Sequence, residues 1–382
     1  MPRTPRRSAW RLVAIGLVVL LVAAACGSDS KSGSAAGDSS STTAAAGKLT
    51  KVRLQLQWFP QSQFAGFFSA VDEGYYKAEG LDVQILAGGV DIVPQQVLGS
   101  GQAEFAVSWV PKALASREQG INITEVAQIL QRSGTLQVSW KDAGITQPAQ
   151  MKGKKVGNWG FGNEFELLAG LRKDGLDPDK DVELVQQNFD MQALLDHQID
   201  TAQAMSYNEF GILLQTVDPA TKKLYQPDQF NVINWNDVGT AMLQDAVWAQ
   251  TDWLAKNKDV TEKFLRATAK GWAFCRDNIE PCVDHVVAAG SALDKVHMTY
   301  MLHEINRLIW PSPDGFGVVT KADWDQTVKI AEESKLITKD PGPDAYTNDI
   351  MKKALTGLDG VDTKGLDYKK PVYDLGKATG KG

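Results

Sequence analysis

Apolar residues along this chain fall into two rhythms. Short continuous runs at 52–58, 81–86 and 104–109 read as strands buried on both faces. Between them, apolar positions recur at helical spacing over 63–78 and 112–118. A Gly88-Gly89 turn follows the second run, and Asp91 is placed to cap a helix reaching Leu98. Strands at 126–130 and 136–140 complete a β-α-β-α order, which predicts an α/β lobe with a largely parallel sheet.

The rhythm restarts near residue 150. Strands at 156–159, 182–186, 202–207 and 232–235 alternate with helices at 163–173, 191–197 and 209–217. After Trp248 the pattern turns helical, at 252–257, 260–278, 297–308 and 321–334. One more helix and a loop-rich tail follow Pro341. Two α/β units joined by chain crossings predict two lobes, a hinge and an interlobe cleft. The expected boundaries are 49–140 for the first lobe and 141–245 for the second. Residues 246–382 return to the first lobe and end in the tail. Roughly 335 residues from Lys48 onward are more than one core usually holds, which also favours two lobes. In open α/β sheets ligands lie beyond the carboxyl ends of the strands, and clefts between lobes are favoured sites.

The first residues have another character. Arg3, Arg6, Arg7 and Arg11 precede an apolar run from Leu12 to Ala25, too short for a comfortable membrane span. This predicts a secretory signal peptide over 1–25. Ala23-Ala24-Ala25-Cys26 resembles a bacterial lipobox, with Ala23 where Leu is usual, and implies lipidation of Cys26. Residues 26–48, rich in Gly, Ser, Ala and Thr, read as a flexible tether. The expectation is an exported protein held at the outer face of the cell membrane by an N-terminal lipid alone.

The net charge of −6 becomes four units more negative once the leader arginines are gone, which disfavours nucleic acid as a partner. Cys275 and Cys282 form an even pair in an oxidising compartment. Pro281 between them can end a helix and fold the chain back, so a small disulfide loop is expected. His297 and His303 stand six apart with no acidic or thiol cluster, and no metal site is expected. No nucleophile motif or phosphate loop is visible, so neither a cofactor nor enzymatic activity is expected.

The stretch LQLQWFPQSQFAGFFSAVDEGYYKAEGLDVQI at 54–85 resembles the start of the NMT1/THI5-like family of ABC substrate-binding proteins. Further matches are LGSGQAEFAVSW (98–109), MKGKKVGNW (151–159) and AMSYNEFG (204–211). The resemblance implies a two-lobed periplasmic-binding-protein fold of type II. It also implies a small-molecule ligand, an ABC permease and a separate ATPase subunit as partners, and a monomer. Members bind thiamine-precursor pyrimidines, and relatives bind sulfonates, nitrate or riboflavin. Pyrimidine binders usually carry a His where this chain has Phe64, and the cysteine-rich motif of the family's pyrimidine-forming enzymes is missing. Gln63-Phe64-Ala65-Gly66, Gly88-Gly89-Val90-Asp91-Ile92 and Gln131-Arg132-Ser133-Gly134 look most like the riboflavin-binding branch. The other readings are a pyrimidine ligand, or an aliphatic sulfonate or similar anion.

Trp58, Trp109 and Trp159 stand at the predicted carboxyl ends of strands, where ring stacking can hold a flat ligand. Phe64 and Phe161 are candidate further walls. Gln63, Gln131, Asn163 and Asn208 offer a donor and an acceptor each, suited to the amide-like edge of a heteroaromatic ring. Asp91, Asp190 and Glu209 can accept from hydroxyl or amino groups. Tyr207-Asn208-Glu209 weigh more, because they leave a strand and open a helix. The Gly160-Phe161-Gly162-Asn163 loop is a candidate donor of backbone N–H groups. Arg132 is equally readable as an anion partner or a structural ion-pair residue.

Overall fold

The computed structural model describes residues 48–290 and 294–379. The expected signal peptide, Cys26 and nearly all of the expected tether lie outside the described residues.

Ten strands form two five-stranded sheets among the described residues. The first sheet contains β1 (Thr50–Gln55), β2 (Leu81–Leu86), β3 (Phe105–Trp109) and β4 (Ile123–Gln128). The second contains β5 (Thr135–Trp140), β6 (Lys155–Asn158), β7 (Glu183–Gln186), β8 (Thr201–Met205) and β9 (Phe230–Asn234). The last strand, β10 (Asp245–Gln250), returns to the first sheet between β3 and β4. The orders are β2-β1-β3-β10-β4 and β7-β6-β8-β5-β9. In each sheet one strand, β10 or β5, pairs antiparallel with both of its neighbours, and the rest run the same way. Helices cover the sheet faces, so the central strands read as continuous apolar runs.

This topology moves the lobe boundary. β5, assigned to the first lobe by its place in the sequence, lies between β8 and β9 of the second sheet. The first crossing is therefore 129–134, ahead of the expected boundary at 140/141. The second crossing spans 235–244 and contains the short helix Trp235–Val238. Gly134 sits where the crossings pack together. A Cβ there would stand 2.9 Å from Leu308 and 3.0 Å from Tyr207.

The first-lobe core stacks Phe105 on Phe264 at 4.1 Å and Phe264 on Tyr76 at 5.2 Å. The helix Lys258–Asp277 lies against Ala65–Asp72 so closely that a Cβ on Gly271 would fall 2.0 Å from the Gly66 carbonyl. The long helix expected over 63–78 is instead a 3₁₀ turn, Ser62–Phe64, and two helices, Ala65–Asp72 and Tyr75–Ala78, separated at Gly74 with φ 72°. The Cys275–Cys282 disulfide is present, with Cα atoms 5.2 Å apart. The helix breaks at Asn278, earlier than expected. Pro281 lies in the first turn of the next helix, Ile279–Ala288, where its missing N–H costs nothing.

The helix Lys295–Ile309 belongs to both lobes. Met301, Leu302 and Ile305 are in the first-lobe core. Tyr300 is packed in the second-lobe core, and its hydroxyl donates to the Ser206 carbonyl at 2.9 Å. No helix among the described residues is long and apolar enough to cross a membrane.

Candidate ligand-binding site

Three strand ends of the second lobe face two of the first across a cavity of about 600 Å³. That volume lies in the usual range for small-molecule sites. From the first lobe come Trp58, just past β1, Gln61 and Gln63 of the 3₁₀ turn, and Trp109 at the end of β3. From the second come Trp159 after β6, Phe189 after β7, and Tyr207, Asn208 and Glu209 after β8. Phe161 and Asn163 line the same space from the loop between β6 and the helix Phe165–Lys173.

The aromatic walls meet across the lobes. Phe189 lies 5.2 Å from Trp58 and 5.7 Å from Trp159, nearly parallel to the latter at 28°. Phe161 is 79% exposed at the rim, held there by a left-handed run of Gly160, Phe161 and Gly162 with φ of 66°, 55° and 84°. Gly88 brings the opposite rim loop in. A Cβ there would lie 2.4 Å from the Leu56 carbonyl and the Trp58 nitrogen. That loop places Val90, Ile92 and Val93 at the cavity, all partly exposed.

The polar floor is bonded to itself. Asp245 accepts from Gln57 (2.6 Å), Gln63 (2.8 Å) and the Trp109 indole (2.8 Å). Gln61 donates to the Gln63 side-chain oxygen at 2.6 Å. Burial raises the Asp245 carboxyl to about 6, against the pull of those three donors and the charge of Lys112. Lys112 donates across the cleft to Asn163 Oδ1 at 2.9 Å and sits 5.1 Å above the Trp109 ring. Burial lowers its ammonium to about 8.

On the second lobe, Glu209 accepts from the Met205 backbone N–H (2.9 Å) and Asn208 Nδ2 (2.7 Å). Burial nevertheless pushes its carboxyl up. Asn208 Oδ1 is 3.1 Å from His297 Nε2, and Gln215 lies 2.7 Å from the other ring nitrogen. Burial lowers the His297 imidazole to about 4, so the ring is neutral and donates toward Asn208. The buried Trp159 indole N–H, at the cleft, makes no hydrogen bond to protein.

Several expected site residues lie elsewhere. Phe64 is fully buried in the first-lobe core, because the 3₁₀ turn points it inward. Asp91 is exposed and caps nothing, since the next helix, Pro94–Gly99, starts after Val93. Gln131 is engaged in the first crossing, its side chain donating to the Gln128 carbonyl at 2.8 Å. Asp190 Oδ1 accepts from the Gln192 N–H at 3.0 Å and caps its own turn. The N–H groups of Gly160, Gly162 and Asn163 are spent on Asn158, Glu164 and the Gly160 carbonyl, so they do not offer an anion cradle. Arg132 donates to the carbonyls of Leu308 and Pro311, outside the cavity. Gln57, Gln61, Ser108, Lys112, Phe189 and Asp245 were not foreseen. Among the described residues no cluster of three or more potential metal ligands occurs.

The family described as NMT1/THI5 like matches residues 61–280. The yeast 4-amino-5-hydroxymethyl-2-methylpyrimidine phosphate synthase THI11 (Saccharomyces cerevisiae) is 29% identical over 130 residues, 34% of this chain and 38% of its own. The riboflavin-binding protein RibY of Chloroflexus aurantiacus is 27% identical over 243 residues, 62% of this chain and 65% of its own. The matches thus span less than two thirds of either relative. Among solved structures, the periplasmic aliphatic sulphonate binding protein SsuA from Escherichia coli superposes with a TM-score of 0.58 at 15% identity. It covers 76% of this chain and 94% of its own. That likeness shows the two-lobed periplasmic-binding-protein fold. The family match covers more than half of the residues, and the chain belongs to the NMT1/THI5-like family.

Proposed function

We propose that this protein captures a neutral, flat heteroaromatic ligand of the vitamin type, with riboflavin favoured, and delivers it to an ABC permease. The carrying observation is the aromatic enclosure by Trp58, Phe189 and Trp159 over an amide floor, built from both lobes. Stacking supplies affinity there, and the glutamine and asparagine amides supply orientation. Similarity to RibY supports the flavin, while similarity to the yeast synthase keeps a pyrimidine as the second reading.

An anionic sulfonate fits the site less well. Asp245 and Glu209 are buried beside the cleft, and among the lining residues the only cation is Lys112, already bonded to Asn163. An anion would stand beside two buried carboxyl groups in a poorly solvated place. No cysteine or histidine lines the cavity, which supports capture over catalysis. Lidding by the rim loops, docking of the closed form, and anchoring through a lipid on Cys26 complete the reading.

Riboflavin titrated into the purified chain is expected to saturate at micromolar or lower concentration, quenching both flavin and tryptophan emission. Trp58→Ala should weaken the binding at least tenfold. Absence of quenching, with a thermal shift instead from the hydroxymethylpyrimidine, would replace the ligand and keep the cleft.

A further inference from the structure

The floor of the cleft has one carboxylate at its centre. Asp245 opens β10, where the second crossing re-enters the first sheet. It pairs directly opposite Trp109 of β3, so the two side chains share one sheet face. One oxygen accepts from Gln57 and the Trp109 indole, the other from Gln63. The backbone carbonyl of the same residue accepts from the N–H groups of Ile129 (2.9 Å) and Leu130 (3.2 Å), on the first crossing. It also accepts from the Gln128 side chain at 3.1 Å.

Three donors converging on one side chain are met best by an ionised carboxylate, which has acceptor sites on both oxygens and no hydrogen of its own. The consequence is an assigned amide orientation. The Gln57 oxygen takes the Trp109 backbone N–H at 3.2 Å and the Gln63 oxygen takes the Gln61 side-chain N–H at 2.6 Å. Each of these two glutamines then keeps one amide hydrogen for a ligand. Rotating either amide by half a turn would set an oxygen against the carboxylate.

We propose that Asp245 is the positioning residue of the cleft. Its carboxylate orients Gln57, Gln63 and Trp109, and its carbonyl ties that orientation to both segments joining the lobes. The effect on affinity rests on the cleft being the ligand site; the orientation itself does not. Protonation would remove the negative charge that the three donors share and replace one acceptor site by a hydrogen, so the ring weakens as pH falls through about 6. The titratable groups facing Asp245 are Lys112, from the helix Val110–Glu118, and Tyr207, after β8. Lys112 changes near 8 and the Tyr207 phenol lies far above its ordinary range, pushed up by burial. Glu209, which bears on Tyr207, is the other acid-side group of the cleft.

The test uses the full chain labelled with 5-fluorotryptophan, with Trp109→Phe identifying the Trp109 signal. Without ligand, that signal should move with a midpoint near pH 6 in the wild type and stay still in Asp245→Asn. Calorimetry with riboflavin and with 4-amino-5-hydroxymethyl-2-methylpyrimidine gives the second readout. For whichever probe binds, Asp245→Asn should lower affinity at least tenfold at pH 7.5 and abolish the further weakening at pH 5. An acid step that persists in Asp245→Asn assigns it to another buried carboxyl, Glu209 or Glu166, and overturns the proposal, as does wild-type affinity in that variant. A wild-type Trp109 signal that ignores pH overturns it without any variant. If neither probe binds the wild type, the proposed ligand falls, and the fluorine titration alone decides the role of Asp245.

Discussion

Phe189 carries a disproportionate share of the cleft wall for one residue. It is 42% exposed, yet it stands between Trp58 and Trp159. Its removal should cost only about 1–2 kcal/mol of stability, because close to half of the residue is already in water. Affinity for a stacked ligand should fall about tenfold, since it loses an aromatic partner. Thermal melting and a flavin titration of Phe189→Ala check both halves together. The residue was legible in principle. Trp58 lies three positions past the end of β1, and Phe189 lies three past the end of β7. The strand-end rule that singles out Trp58, Trp109 and Trp159 covers Phe189 too, whereas the polar candidate at that strand end is Asp190 beside it. Asp245 and Lys112 were not legible. Their roles come from burial and from partners between roughly 50 and 190 positions away in sequence, which no local pattern carries.

Among the elements, the two crossings are held by one second-lobe helix. Glu166, on Phe165–Lys173, accepts from Ser133 Oγ (2.9 Å) of the first crossing and from the Met242 N–H (2.6 Å) of the second. Burial raises its carboxyl to about 7, although those bonds pull the other way. A raised carboxyl favours the folded state fully below the ordinary carboxylate range, and that advantage is lost as pH rises through about 7. The wild type should therefore lose a few kcal/mol between pH 5 and 8.5 on this account. Glu166→Gln stays neutral and should flatten the slope. Urea unfolding of both chains at the two pH values checks it. His297 acts at the opposite end. Its lowered imidazole favours folding above its ordinary range, and the benefit is lost as pH falls toward about 4. The helices and parallel strands were readable because their periodicities are local. β10 was not, since its place between β3 and β4 depends on long-range antiparallel pairing. The same holds for β5, whose sequence reads as a strand but cannot say which sheet it joins.

For the molecule as a whole, the family and two-lobed architecture could be read from motifs that stand at turns and strand ends, such as Glu79-Gly80-Leu81-Asp82-Val83 entering β2. The reach of the C-terminal third was harder to see. It was expected to complete the first lobe, but Tyr300 and Leu375 are packed in the second-lobe core. The helix Lys295–Ile309 is thus a third link beside the two crossings. A Cβ on Gly211 would fall 2.3 Å from the Tyr300 ring, so the fit is close. Swinging the lobes wide would strip that ring from its core at a cost of about 2 kcal/mol or more. Small-angle scattering with and without bound ligand should accordingly show a change in radius of gyration below about 1 Å, against several for freely swinging lobes. Tyr300→Ala should enlarge the difference. The consequence is one of timing. If the cleft carries cargo as proposed, a strap of this kind slows its release, and fast unloading requires a docked partner to loosen the strap.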